Sequence, residues 1–153
     1  MNNELGKMKR SHQAVEHAMA SVSDTIEDIE SAGQLDVEMI GHLEEQSRQL
    51  AQSVVEHVET EEAALRVTKR IFGENPGDLE RLEGDLRQMH RSLQRFSRAV
   101  ETLDAGDEVG DDVWRNIREH LSELAELLSQ CSEREWAFFS QYSTLLQPGG
   151  LSS

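Results

Sequence analysis

Apolar side chains recur at alternating intervals of three and four residues in four segments of the chain. The first segment is the clearest, with repeating positions at Met8, His12, Val15, Met19, Val22, Ile26 and Ile29. This spacing keeps the side chains on one face of an α-helix and is typical of the buried seam of a helical bundle. Glycine and proline fall almost entirely between the segments, and no segment alternates like a β-strand. The pattern therefore predicts an all-α fold.

The other three segments carry similar seams. They comprise Leu43, Leu50, Val54, His57, Glu61, Ala64 and Ile71, then Leu79, Leu82, Leu86, His90, Leu93 and Val100, then Val113, Ile117, His120, Leu124, Leu128, Cys131, Glu135, Phe138, Tyr142 and Leu145. Gly33 is predicted to end the first helix, and Asp36 and Asp78 are predicted to cap the second and third. Because the connections are short, we expect an antiparallel, up-down four-helix bundle. It forms a single domain over residues 1–147, followed by a flexible tail at 148–153.

Polar residues occupy seam positions where leucine would be expected. They are His12, His57, Glu61, His90, Cys131 and Glu135. His57-x-x-x-Glu61 recurs in altered form as Cys131-x-x-x-Glu135, and residues four apart point from one helix face. Measured from the turns, all six positions lie within roughly one to two helical turns of a common level. Burying such groups unpaired is costly, whereas a metal ion would compensate them. The sequence thus predicts a metal site in the core of the bundle.

The composition of the chain limits the classes of binding partner and the cellular compartment that we expect. The chain has 30 acidic and 15 basic residues and a formal net charge of −15, which disfavours nucleic acid and anionic membrane surfaces. No apolar stretch approaches the roughly 18 to 20 residues that span a bilayer, and the start of the chain does not resemble a secretory signal. A single cysteine excludes an internal disulfide framework and fits a reducing compartment. We therefore expect a cytoplasmic protein.

The arrangement of these residues resembles the hemerythrin-like (HHE cation-binding) family of four-helix bundles. That family has a histidine on helix one, His-x-x-x-Glu on helix two, a histidine on helix three and His-x-x-x-Glu on helix four. The matching residues are His12, His57 with Glu61, His90, and Glu135, and the resemblance covers roughly residues 5–146. It implies a pair of non-haem iron ions held by the histidines and bridged by the two glutamates. Other divalent metals remain compatible with these ligands. Such sites bind dioxygen, sense oxygen or redox state, handle peroxide or nitric oxide, or store iron.

Cys131 departs from the family pattern because it stands where the fourth helix should supply a histidine. Three interpretations are open. The thiolate ligates a metal; or the cysteine is small apolar packing that leaves an open coordination position; or the site has decayed and binds no metal.

Three functional hypotheses follow from these observations. The leading one is a metal-binding bundle that binds or senses dioxygen or a related small oxidant and is not expected to be an enzyme. The second is a metal-dependent enzyme that handles peroxide or nitric oxide. The third is a degenerate bundle that acts as an interaction module for a protein partner or a second copy of the chain.

Overall fold

The computed structural model describes the backbone of residues 2–73, 76–106 and 112–146, and the side chains of these residues except 2–5, 71–72, 76–79 and 141–146. Within these ranges there are four α-helices and no extended strand: α1 (Asn2–Ala32), α2 (Val37–Phe72), α3 (Pro76–Glu101) and α4 (Asp112–Leu146). The all-α prediction is confirmed. The expected tail at 148–153 lies outside the described residues.

Local capping chemistry sets the helix boundaries, and two of the three predicted signals are confirmed. Gly33 follows the end of α1 with φ 80°, a left-handed conformation that glycine adopts without steric cost, and its N–H donates to Ile29 O at 3.0 Å. Asp36 caps α2 by accepting from the Met39 N–H at 2.8 Å. The prediction for Asp78 is wrong, since α3 already begins at Pro76. Proline suits a first helical position because its ring presets φ and it lacks an N–H that would go unpaired there.

The helices pack around one apolar core as a four-helix bundle. α1 packs chiefly against α2 and α3 against α4, and the two pairs meet through α2–α3 and α1–α4 contacts. The predicted seam positions of α1, α2 and α4 are buried wherever their side chains are described, apart from the half-buried His12, Val113 and His120. At one end, the Gly106 N–H donates to Leu35 O at 3.0 Å, which ties the α1–α2 connection to the segment after α3.

Four seam positions predicted on the third helix, Leu82, Leu86, Leu93 and Val100, are buried, whereas His90 is not. The buried apolar positions of this helix are Leu82, Leu86, Met89, Leu93, Phe96 and Val100. They follow the alternating spacing of four and three without interruption, which is the pattern of a bundle seam. His90 follows Met89 directly and is exposed. Adjacent helical residues point about 100° apart, so the inward orientation expected for His90 is wrong.

None of the helices, over the part of the chain that the structure describes, carries an apolar stretch long enough to cross a bilayer.

Candidate metal centre

Four of the predicted ligands lie together in the middle of the core. His57 and Glu61 are one turn apart on α2 and are both fully buried, while Cys131 and Glu135 are one turn apart on α4 and are 1% and 4% exposed. The i, i+4 spacing places both members of each pair on the inward face of their helix. The height argument from the sequence is therefore correct for these four residues.

Short distances join the four side chains into one cluster. His57 Nε2 lies 2.9 Å from Glu135 Oε1 and 3.6 Å from Glu61 Oε2. The Cys131 thiol donates to Glu135 Oε1 at 3.2 Å and lies 3.9 Å from Glu61 Oε2. Glu135 thus contacts both the imidazole and the thiol, and its carboxylate is the centre of the cluster.

The first helix adds His12 at the edge of the cluster. Its ring centroid is 5.5 Å from that of His57, and the side chain is 16% exposed. Nε2 of His12 lies 2.9 Å from the exposed carboxylate of Glu16, while its Nδ1 is buried without a hydrogen-bond partner. His12 therefore keeps one nitrogen available on the buried side, and Glu16 holds the other at the surface.

Ser11 is a functional neighbour that the sequence pattern did not reveal. Its hydroxyl donates to Met8 O at 2.9 Å and lies 2.8 Å from His57 Nδ1. Since a hydroxyl has a single proton, Ser11 must accept the second bond from His57 Nδ1–H. This leaves Nε2 as the nitrogen directed at the carboxylates. Metal-binding histidines are commonly oriented in this way by a hydrogen bond on the opposite nitrogen.

The third helix supplies no imidazole to the cluster. His90 is exposed and its Nε2 lies 3.3 Å from the Gln94 amide. The carboxylate that α3 turns inward is Asp85, which is 8% exposed and accepts from Arg134 of α4. One Asp85 oxygen, Oδ2, is buried without a hydrogen-bond partner. Its spacing of four residues from Met89, which places the two on one side of α3, was the only sequence signal for this residue.

The donor atoms form two overlapping groups that could each hold a metal ion. One group is His12, His57 and Glu135, and the other is Glu61, Cys131 and Glu135; within each, the ligand atoms lie within 4.8 Å of one another. Ligands bound to one ion at about 2.0 to 2.3 Å are separated by up to about 4.6 Å, so little movement is needed. Glu61 Oε1, buried without a hydrogen-bond partner, is a further unused donor. The residues present therefore fit one ion, or two ions that share Glu135.

The ionisation of the cluster is set by burial and by mutual contact. Burial raises the pKa of Glu61 well above its usual value, and the carboxyls of Glu135 and Asp85 raise it further. Burial also opposes ionisation of Glu135, but hydrogen bonds from Glu61 and His57 outweigh it and lower the pKa of Glu135. Burial and the charges of Glu61 and Glu135 raise the pKa of the Cys131 thiol. Without a cation, these raised pKa values favour the protonated forms of Glu61 and Cys131, and a divalent ion that bound there would displace their protons.

A cavity of about 270 Å³ between α1 and α4 reaches the cluster from the surface. Both His12 and Glu135 line it, together with the half-exposed Trp136. The Lys9 ammonium lies over the Trp136 ring, 4.4 Å from its centroid. This cavity offers a route for a small solute or an ion to the side of the cluster where His12 and Glu135 meet.

Searches of protein-family models, curated proteins and solved structures return no match to this chain, so its function is inferred from the cluster itself.

Proposed function

We propose that this chain is a metal-binding four-helix bundle, with its helices running alternately up and down, whose buried cluster holds non-haem iron and binds or senses dioxygen or a related oxidant. The main observation in support is that Glu135 belongs to both groups of candidate metal ligands. A carboxylate between two sets of ligands is the arrangement that a pair of bridged ions requires.

The ligands differ from the hemerythrin-like pattern in two respects that bear on function. The exposed His90 removes one imidazole, and Cys131 replaces another with sulfur. The remaining set has two imidazoles, two carboxyls and one thiol, which leaves a dinuclear centre short of protein ligands. Iron bound there would supply a redox-active centre with coordination positions open to a small oxidant. A thiol in the cluster is itself susceptible to oxidation, which favours sensing over durable oxygen carriage.

The central test is metal analysis of protein purified without oxygen and reconstituted with Fe²⁺. We expect one to two ions per chain in the wild type. His57→Gln should lose most of the metal because His57 contacts both buried carboxyls. His90→Gln is the matched control, since this exposed histidine should leave the metal content unchanged. Fewer than about 0.2 ions per chain in the wild type, or equal losses in the two variants, would contradict the proposal.

The role of Cys131 is tested by replacing iron with Co²⁺, whose spectrum responds to sulfur ligation. Thiolate ligation predicts a charge-transfer band that disappears in Cys131→Ser while the metal content is kept. A band-free wild type with bound metal indicates an open position in place of a sulfur ligand.

Oxidant sensing is tested separately on the iron-loaded protein. Stoichiometric dioxygen or peroxide should change its visible spectrum, and the metal-free protein should not respond. An iron-loaded protein that is spectroscopically unchanged by both oxidants would refute the sensing function while leaving metal binding intact. If no metal binds at all, the cluster is a polar core and the interaction-module hypothesis takes its place.

A further inference from the structure

A second depression lies between α2 and α3, and no residue of the two donor groups lines it. It is a groove of about 890 Å³ between these two helices. On each helix the lining residues fall on successive turns, singly or as adjacent pairs, so one continuous stripe of each helix faces the groove. His90, which the sequence assigned to the metal site, lies in this groove instead.

The groove gathers positive charge on a strongly acidic protein. Four of the chain's 15 basic residues line it, Arg66, Lys69, Arg87 and Arg91, against two acidic residues, Glu62 and Glu83. Lys69 pairs with Glu83 at 2.9 Å, which joins α2 to α3 along the groove. The three arginines make no ion pair with any described residue, although acidic residues outnumber basic ones two to one. Outside the groove, Arg95 and Arg118 pair with Glu123 and Glu30, whereas Arg70 and Arg98 also make no ion pair with a described residue.

The floor of the groove is apolar. Leu65 and Leu86 form it, at 3% and 4% exposure, and the half-buried Val58 extends it. Guanidinium groups at the rim of an apolar floor suit a ligand that has a charged head and an apolar body. Arginine in particular matches carboxylate and phosphate oxygens through paired N–H donors.

We propose that this groove binds a small organic anion, in which a carboxylate or phosphate-ester head is attached to a short aliphatic body. The head contacts the guanidinium groups of Arg87 and Arg91, and the body lies over Leu65 and Leu86. The cavity volume is within the range of about 300 to 1,000 Å³ found for small-molecule sites. Along α3, the lining from Glu83 to Arg91 spans about 12 Å of helix, which limits the ligand to a short chain. Nucleic acid is disfavoured by the net charge of −15.

The proposal is independent of the metal centre. None of the five residues of the two donor groups lines the groove. The groove can therefore be tested on metal-free protein, and neither result bears on iron binding.

The test is a calorimetric titration with octanoate and octyl phosphate at low ionic strength. Acetate supplies the head alone and octanol the body alone, and we expect both to bind at least about tenfold more weakly than octanoate. Amide resonances of Leu65 and Leu86 should shift on titration with octanoate. Added salt should weaken octanoate binding because part of the attraction is between charges.

Substitutions of the arginines test where the anionic head of the ligand binds. The double substitution Arg87→Gln and Arg91→Gln should weaken octanoate binding at least about tenfold. Arg95→Gln is the matched control, because Arg95 is on the same helix and pairs with Glu123 outside the groove. These side chains are exposed, so folding should be unaffected. Octanol binding as tightly as octanoate, equal effects of the two variants, or binding of an acidic peptide without binding of octanoate would each overturn the proposal.

Discussion

His57 is the residue on which the cluster depends most. Ser11 accepts from its Nδ1, and its Nε2 faces Glu135 at 2.9 Å. The Nε2–Oε1 contact requires one proton shared between the two groups, and a metal ion would take the place of that proton. Because both nitrogens have partners, the ring is fixed before any ion arrives. Preorganisation of this kind reduces the reordering that accompanies binding.

The two buried glutamates should respond differently to neutralisation. In metal-free protein at pH 7 we expect Glu61→Gln to raise the free energy of unfolding or leave it unchanged, because burial raises the pKa of this carboxyl and an uncharged amide avoids the proton uptake that folding then requires. Glu135→Gln should cost about 1 to 3 kcal/mol, since it weakens hydrogen bonds to a carboxylate. Urea unfolding in the presence of a chelator measures both. If Glu61→Gln were the more destabilising of the two substitutions, the negative charge would lie on Glu61 and not on Glu135.

At the scale of the element, α3 shows where the sequence was sufficient and where it was not. The positions of His57, Glu61, Cys131 and Glu135 could be predicted because the apolar residues before and after them allow only one face of each helix to be buried. On α3, the spacing of His90 from Leu86 and Leu93 wrongly predicted that the histidine itself points inward. The residues that decide the register are Met89 and Phe96, seven apart, which complete an uninterrupted apolar repeat and turn His90 outward.

Residues without periodicity could not be predicted in the same way. Ser11 is recognisable only from its two hydrogen bonds, one of them to a residue on another helix. Asp85 is buried because Arg134 of α4 donates to it. Both depend on side chains distant in sequence, and no local pattern records such contacts.

The register of α3 can be checked by truncating two adjacent side chains. Met89→Ala should lower the free energy of unfolding by about 2 to 4 kcal/mol, because it leaves a cavity in the core. His90→Ala should change it by less than about 0.5 kcal/mol, as expected for an exposed site. Chemical denaturation of the two variants gives both values. If Met89→Ala and His90→Ala lowered the free energy of unfolding equally, His90 would have to be buried, contrary to the register described.

For the whole molecule, the buried carboxyls link stability to pH and to metal. The folded-state pKa of Glu61 is raised above its usual value of 4.5, so the folded protein binds more protons than the unfolded chain in the interval between the two values. Stability of the metal-free protein therefore falls as pH rises through that interval. Glu135 acts oppositely, because its pKa is lowered. Its contribution is present above 4.5 and is lost as pH falls.

We expect metal-free wild type to lose stability as pH rises above about 4.5 towards neutrality, and Glu61→Gln to lack this dependence. Saturation with a divalent metal should reverse the trend, because displacement of protons makes binding stronger at higher pH. Urea unfolding across this range, with chelator or with excess metal, distinguishes the two states. Identical pH profiles for the wild type and Glu61→Gln would exclude Glu61 as the source.

The cavity that reaches Glu135 lies between the first helix and the last, whose mutual interface is less extensive than that of α1 with α2 or of α3 with α4. An ion that uses this cavity passes between the two helices, so a change in their separation would alter the rates of loading and release. Tethering Gln13 to Ser132, which both line this cavity, would trap whatever the protein held when the tether closed. The metal content of the tethered protein would then depend on the metal concentration at the time of tethering and not on the concentration at the time of measurement.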